Sequence, residues 1–192
     1  MDYTLPFPWP STRDEALAIL EETIPRVAID ANTPEPKLIA AVETDYGRGG
    51  DILYCAASVL TFPDHRVVER ALFFSHVTFP YYANLIFFRE GYAMLSALAK
   101  LRSDPDLLMV SGHGIAHPQL CGVASYIGIA FDKPTIGCSR RLLAGQHRDV
   151  DETKGSAQPI MFRGREVGVA YRSKHGVKPI FISPAHRCDL EF

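Results

Sequence analysis

Val110-Ser111-Gly112-His113-Gly114-Ile115-Ala116-His117-Pro118 is the stretch whose reading decides the fold. An apolar run from Leu107 to Val110 leads into it, and Gln119 to Ala130, which reads as a helix, follows. The stretch therefore sits where a buried strand ends and a helix begins. Gly112 and Gly114 let the backbone bend sharply and come close to a ligand. Pro118 suits the first position of a helix. Free N–H groups at such a start attract an anion, most often phosphate. Strand carboxyl ends are also where open α/β sheets bind ligands. The segment alone fits a tight strand-to-helix turn with two surface histidines equally well.

Outward from this turn the periodicity predicts a mixed order of elements. Upstream, Ile86 to Leu101 places Tyr92, Leu95, Leu98 and Leu101 at mostly helical spacing, and Asp104-Pro105 stops that helix. Before it, Leu38 to Tyr46, Ile52 to Thr61 and Val67 to Thr78 read as three strands. The short turns between them, 47–51 and Pro63-Asp64, make the three an antiparallel meander. Residues 1–10 are proline-rich and read as irregular. Ser11 or Thr12 caps a helix running to about Ile24, with Glu15 placed for a capping box. Residues 30–36 read as a loop. Downstream, Pro134 to Cys138 is a short buried strand and 144–157 an exposed loop or lid. Ile160 to Phe162, Glu166 to Arg172 and Pro179 to Ser183 are late strands. A β-β-β-α-β-α-β order with further strands is that of a ribonuclease-H-like α/β fold, a mixed sheet flanked by helices.

A chain of 192 residues predicts one domain, with 1–36 as an N-terminal helix and loop. The net charge of -2 gives no global field that attracts nucleic acid, so any basic surface is local. No stretch is apolar for long enough to span a membrane. The start, Met1-Asp2-Tyr3, lacks the basic and apolar segments of a signal peptide. Cys55, Cys121, Cys138 and Cys188 are scattered without a CxxC pair, which predicts free thiols, mostly buried, rather than zinc ligands or disulfides. The expectation is a cytoplasmic monomer.

Which carboxylates can meet? Glu43 and Asp45, two apart in the first strand, share a face. Glu90 lies in the first turns of its helix, and Ser111 ends the fourth strand. In a ribonuclease-H-like sheet the first and fourth strands are neighbours, so positions 43 and 111 become adjacent. Oxygen ligands there suit magnesium, which activates water and stabilises a leaving oxygen. The bland reading is an edge-strand Glu and a solvated helix charge. His113 and His117 are four apart, but the glycines argue against a helix between them, so they read as loop-organising hydrogen bonders, with His117 placed near phosphate. Arg172, Lys174, Lys178 and Arg187 form a basic cluster that could follow a nucleic-acid backbone.

Several ordered segments resemble the endonuclease V family, nucleases of deaminated, inosine-containing nucleic acid. They are Ala41-Val42-Glu43 with Tyr46; Phe79-Pro80-Tyr81; Phe88-Arg89-Glu90; Pro105 to Val110; Gly112 to Pro118; Gly122-Val123-Ala124-Ser125; Pro134-Thr135-Ile136-Gly137; and His186-Arg187. They cover roughly residues 37–190. The resemblance implies Mg2+ as cofactor, with Mn2+ as a substitute. It implies a metal and catalytic site at Glu43, Glu90, Ser111 and His186, with Asp45 as a further metal ligand. It also implies a substrate surface of Pro80, Tyr81, Tyr82, Asn84, Ile86, Gly112, His117, Gly137 and Arg140. The family carries Asp where this chain has Glu43, and Asp where it has Ser111. A hydroxyl is neutral and donates as well as accepts, so it replaces a charged magnesium ligand poorly. Arg140-Arg141 stands for the family's Lys-Lys and keeps positive charge for phosphate. The family's Pro-Tyr-Ile-Pro-Gly wedge is Pro80-Tyr81-Tyr82-Ala83-Asn84 here. Its usual terminal helix does not follow His186.

Two readings result. One is a metal-dependent endonuclease of DNA repair type, cutting inosine-containing DNA or RNA on the 3′ side of the lesion. The other is a catalytically impaired relative that binds nucleic acid without cutting. Position 111 discriminates between them.

Overall fold

A computed structural model describes residues 1–29 and 34–190 of the chain. Among the described residues three α-helices, α1 (Arg13–Thr23), α2 (Ile86–Ala99) and α3 (Val123–Phe131), accompany eight strands. The strands are β1 (Leu38–Tyr46), β2 (Ile52–Thr61), β3 (Val67–His76), β4 (Leu107–Ser111), β5 (Thr135–Ser139), β6 (Ala157–Phe162), β7 (Arg165–Tyr171) and β8 (Ile180–His186). They form one sheet in the order β3-β2-β1-β4-β5-β8-β7-β6. β1, β4 and β5 run parallel at its centre, and both flanks are antiparallel. This is the ribonuclease-H-like sheet predicted by the order of elements.

α1 starts where its capping residues place it. Thr12 Oγ1 accepts from the Glu15 amide at 3.2 Å, and the Glu15 carboxylate accepts from the Thr12 amide at 3.3 Å. The bounds of β1 and β2 match their hydrophobic alternation, because one face of each is covered. Ala40, Val42, Leu53, Cys55, Ala57 and Val59 point to that covered face, where α2 supplies Phe87, Phe88, Met94, Leu95 and Leu98. Residues 1–10 are irregular, as expected, but they are not loose. Phe7 and Trp9 pack edge-on or tilted against Phe87 and Phe88, while Phe87 stacks on Tyr126 at 4.2 Å. The Met1 amino group donates to the Leu101 carbonyl at 2.8 Å. Four free cysteines are present among the described residues, three of them buried.

Three expectations are corrected. No helix begins at Gln119. Leu120 has φ +56°, and the amides of Gly114 and Ile115 donate to Ser183 Oγ and the Pro184 carbonyl, so tertiary partners replace helical ones. Pro118 is therefore not the first residue of a helix. Residues 144–156 are the mostly exposed loop that was one expected alternative, and not a free lid. Gln146 pairs with Met161, Val150 is buried, and Arg172 donates to the carbonyls of Asp151, Val150 and Val177. Of the loop expected over 30–36, residues 30–33 lie outside the described residues, and 34–36 have no regular structure.

Candidate active site

The carboxyl ends of β1, β4 and β5 meet the start of α2 around a cavity of about 790 Å³. Val42 and Val110 are the last register partners of β1 and β4, so Glu43 and Ser111 are the next residues on neighbouring strands. Ser111 is in register with Cys138 on β5. Glu43, Glu90, Ser111, Gly112, His117, Tyr81, Ile86 and Arg140 all line this cavity. Glu43 and Ser111, 68 positions apart in the chain, come together only because β4 inserts beside β1.

Glu90 does not stand free. Its Oε2 accepts from Thr44 Oγ1 at 2.6 Å, and its Oε1 from the Tyr46 hydroxyl at 2.7 Å. The Tyr46 oxygen in turn accepts from Arg89 Nε at 2.9 Å, with the guanidinium 5.1 Å from the ring centre. Burial, followed by the neighbouring Glu90, pushes the Tyr46 phenol well above its ordinary pKa, so it remains a donor. Glu43 is on the opposite face of β1, with its side chain 62% exposed and Arg140 Nη2 3.6 Å from Oε1. The Cys138 thiol is held above its usual value, first by burial and then by Glu43, against an opposing effect of Arg140.

The Gly112–Gly122 loop forms one wall. Gly137 lies directly beneath it, and a Cβ there would sit 2.5 Å from the Gly114 nitrogen and 2.7 Å from the Gly112 oxygen. No side chain fits, which accounts for the glycine. His113 Nε2 lies 2.7 Å from the Arg141 carbonyl oxygen, which ties the loop to the residues after β5. His117 is 2% exposed, its Nδ1 accepts from the Gln119 amide at 3.3 Å, and its ring makes a backbone hydrogen bond with Asn84. Burial brings its pKa down to about 4, with His113 contributing in the same direction. His117 is thus a neutral strut between two loops, and its partners leave no cationic ring for a phosphate. At the expected helix start the amides of Gln119 and Leu120 are also engaged, with His117 Nδ1 and the His117 carbonyl.

Other predicted site residues lie elsewhere. His186 is at the opposite end of the sheet. β8 runs antiparallel to β5, so His186 pairs with Thr135 at the start of β5, three residues from Cys138. Its Nδ1 accepts from the Ala28 amide at 3.3 Å, and Nε2 is 3.6 Å from Asp132 Oδ1. Asp45 falls two residues beyond the end of β4, about 7 Å along the strand, and lines an adjoining groove that shares Glu43 and Arg140 with the cavity. Its Oδ1 accepts from the Tyr46 amide at 2.9 Å. Pro80 and Tyr82 do not line the cavity, and Tyr82 packs against Phe79. Asn84 meets the site through its backbone. Of the basic cluster, Arg172 holds a loop, and Arg187 pairs with Asp132 at 2.8 Å. Thr44 and Tyr46, which donate to Glu90, were not among the expected site residues. Their alternation with Glu43 and Asp45, on the face toward α2, was the available signal.

The family profile described as Endonuclease V matches residues 21–192. The chain belongs to the endonuclease V family. Endonuclease V of Nostoc punctiforme is 42% identical over 183 residues, which are 95% of this chain and 83% of the relative. The crystal structure of endonuclease V from Streptomyces avermitilis superposes with a TM-score of 0.88 at 36% identity, covering 100% of this chain and 85% of that one. The Ciona intestinalis endonuclease V, solved with a 23mer DNA containing an inosine, shares the fold at a TM-score of 0.77 and 22% identity, with 93% of this chain and 84% of that chain covered.

Among the described residues no three His, Cys, Asp or Glu side chains gather to hold a metal ion. Glu43, Glu90 and the Ser111 hydroxyl nevertheless line one cavity and form an all-oxygen donor set. That set fits a hard divalent cation that keeps most of its water, and it offers two charges where a third carboxylate would strengthen the hold. No helix among the described residues is long and apolar enough to cross a membrane.

Proposed function

We propose that this chain is a divalent-metal-dependent endonuclease that cleaves inosine-containing DNA or RNA at a phosphodiester 3′ to the lesion. The observation that carries this reading is the convergence of Glu43, Glu90, Ser111, Arg140 and Tyr81 on one cavity at the ends of three parallel strands. Glu43 and Glu90 would hold Mg2+ or Mn2+, with Ser111 a weak or water-mediated partner. Such an ion, when bound, polarises water and stabilises a leaving oxygen.

The chain's own residues do the rest. Arg140, with its side chain 87% exposed, offers a guanidinium to a phosphate and releases Glu43 as it does so. Tyr81, 67% exposed at the rim, stacks on a base next to the lesion. A deaminated base pairs weakly, so extruding it costs least, and backbone groups near Ile86 and Gly112 receive it. Attack of water on phosphorus with loss of the 3′-oxygen leaves a 5′-phosphate and a 3′-hydroxyl. In this reading residues 1–192 are one cytoplasmic, monomeric endonuclease V-like unit.

Ser111 supports a second reading, selective binding without cutting. The test is nicking of inosine-containing and unmodified DNA and RNA with magnesium or manganese, alongside binding by fluorescence anisotropy. Inosine-dependent nicks that vanish in Glu90→Gln support the nuclease. Selective binding with no nick in either metal supports the binding protein, and neither result refutes both.

A further inference from the structure

Glu90 is held on both oxygens, and one of its holders leads to the exposed loop at the cavity rim. Tyr46 has a single hydroxyl proton, donated to Glu90 at 2.7 Å, which leaves its oxygen to accept from Arg89 Nε at 2.9 Å. Arg89 Nη1 donates to the Phe79 carbonyl at 2.6 Å. Phe79 is buried and immediately precedes Pro80 and the exposed Tyr81. At the far end of the same loop, Asn84 is tied through its backbone to the buried His117. The loop is thus strung between two anchors, and between them Tyr81 and Ala83 face solvent. One anchor ends on the carboxylate proposed to hold the cation.

We propose that Arg89 and Tyr46 are positioning residues that couple the Phe79–Asn84 loop to the direction of the Glu90 carboxylate. The proposal rests on the nuclease reading for its consequence and on the hydrogen bonds alone for the coupling. Arg89 reaches the Phe79 carbonyl and the Tyr46 oxygen at once because a guanidinium presents several donors in a fixed plane. A lysine ammonium has no such fork. A shift of the loop as a base stacks on Tyr81 must carry Arg89 with it or break a bond. Either event changes what Tyr46 offers to Glu90. The exposed loop and the catalytic wall therefore move as one unit, and occupancy of the loop sets the aim of the carboxylate.

The test uses the full chain with Tyr46→Phe, Arg89→Lys and the double variant. The side-chain hydrogen bonds of Tyr46 go to Glu90 and Arg89, not to the loop, so a role confined to Glu90 leaves the loop unmoved. Coupling predicts faster hydrogen–deuterium exchange over residues 79–85 in Tyr46→Phe as well as in Arg89→Lys, with the melting transition still cooperative. In nicking assays each single variant lowers kcat about tenfold with KM little changed, and the double variant is no slower than either single one. Independent contributions would instead multiply to about a hundredfold. Unchanged loop exchange in Tyr46→Phe, or multiplicative losses, overturns the coupling. If the parent protein does not nick at all, the nuclease reading fails, and the exchange data alone support or overturn the coupling.

Discussion

Replacing Ser111 by Asp adds a negative charge beside Glu43, on the adjoining parallel strand. Neighbouring strands stand about 4.8 Å apart. Two unit charges about 5 Å apart repel by about 0.8 kcal/mol at the dielectric of water and about 3 kcal/mol at an effective dielectric of 20. Glu43 is 62% exposed and has Arg140 3.6 Å away, which places the repulsion near the watery end. About 1 kcal/mol lowers Tm by about 2–4 °C in a domain of this size. Without metal, Ser111→Asp therefore melts that much below the parent. A divalent cation reverses the effect, because a ligand bound only by the folded state stabilises it, by about 2.7 kcal/mol at a hundredfold excess over Kd. The assay is thermal melting in chelator, in magnesium and in manganese, paired with nicking of inosine-containing strands. The variant gains Tm with metal more than the parent does and cuts faster. A variant whose Tm is the same in chelator and in excess magnesium refutes the idea that position 111 belongs to a metal site.

Further outcomes follow from the same structure. Isothermal titration of the parent should show weak magnesium binding and tighter manganese binding, since two carboxylates attract less than three and manganese competes better for a given site; tight stoichiometric magnesium binding contradicts this. The folded-state pKa of His117, about 4, lies below its unfolded value. Its contribution of about 3 kcal/mol is therefore whole above about pH 6.5 and lost as pH falls toward 4. Urea unfolding at neutral and acidic pH should show this loss, and His117→Asn should flatten it. Phe87→Ala removes a ring that is 1% exposed and stacked on Tyr126. It should cost about 3–5 kcal/mol in urea unfolding, and a loss under 1 kcal/mol would show that the aromatic cluster does not carry the core.

Local signals were legible wherever neighbours along the chain decide the conformation. The Thr12 cap with Glu15, the alternation of β1 and β2 and the helical spacing of α2 are patterns of adjacent residues, and their bounds hold within a residue or two. The ordered motifs also carried the family. Among inferences that needed a distant partner, the adjacency of positions 43 and 111 held, and others failed. Gly112 to Leu120 reads as the approach to a helix, yet its amides find Ser183, Pro184 and Cys138 on other strands. His186 belongs to a matching motif, but the antiparallel run of β8 carries it away from Ser111. Asp45 shares a face with Glu43, but β4 ends before reaching it.

The sequence by itself thus determined the elements, their order and the family, because capping, periodicity and motif spacing act over a few residues. Beyond the pairing of the first and fourth strands, only the tertiary structure decided which side chains meet. Strand direction and register place Glu43 beside Ser111 and His186 at the far end. Side-chain hydrogen bonds across more than forty positions turn Glu90 toward Thr44 and Tyr46. A carboxylate's neighbours in space, not its neighbours in the chain, set what it can hold.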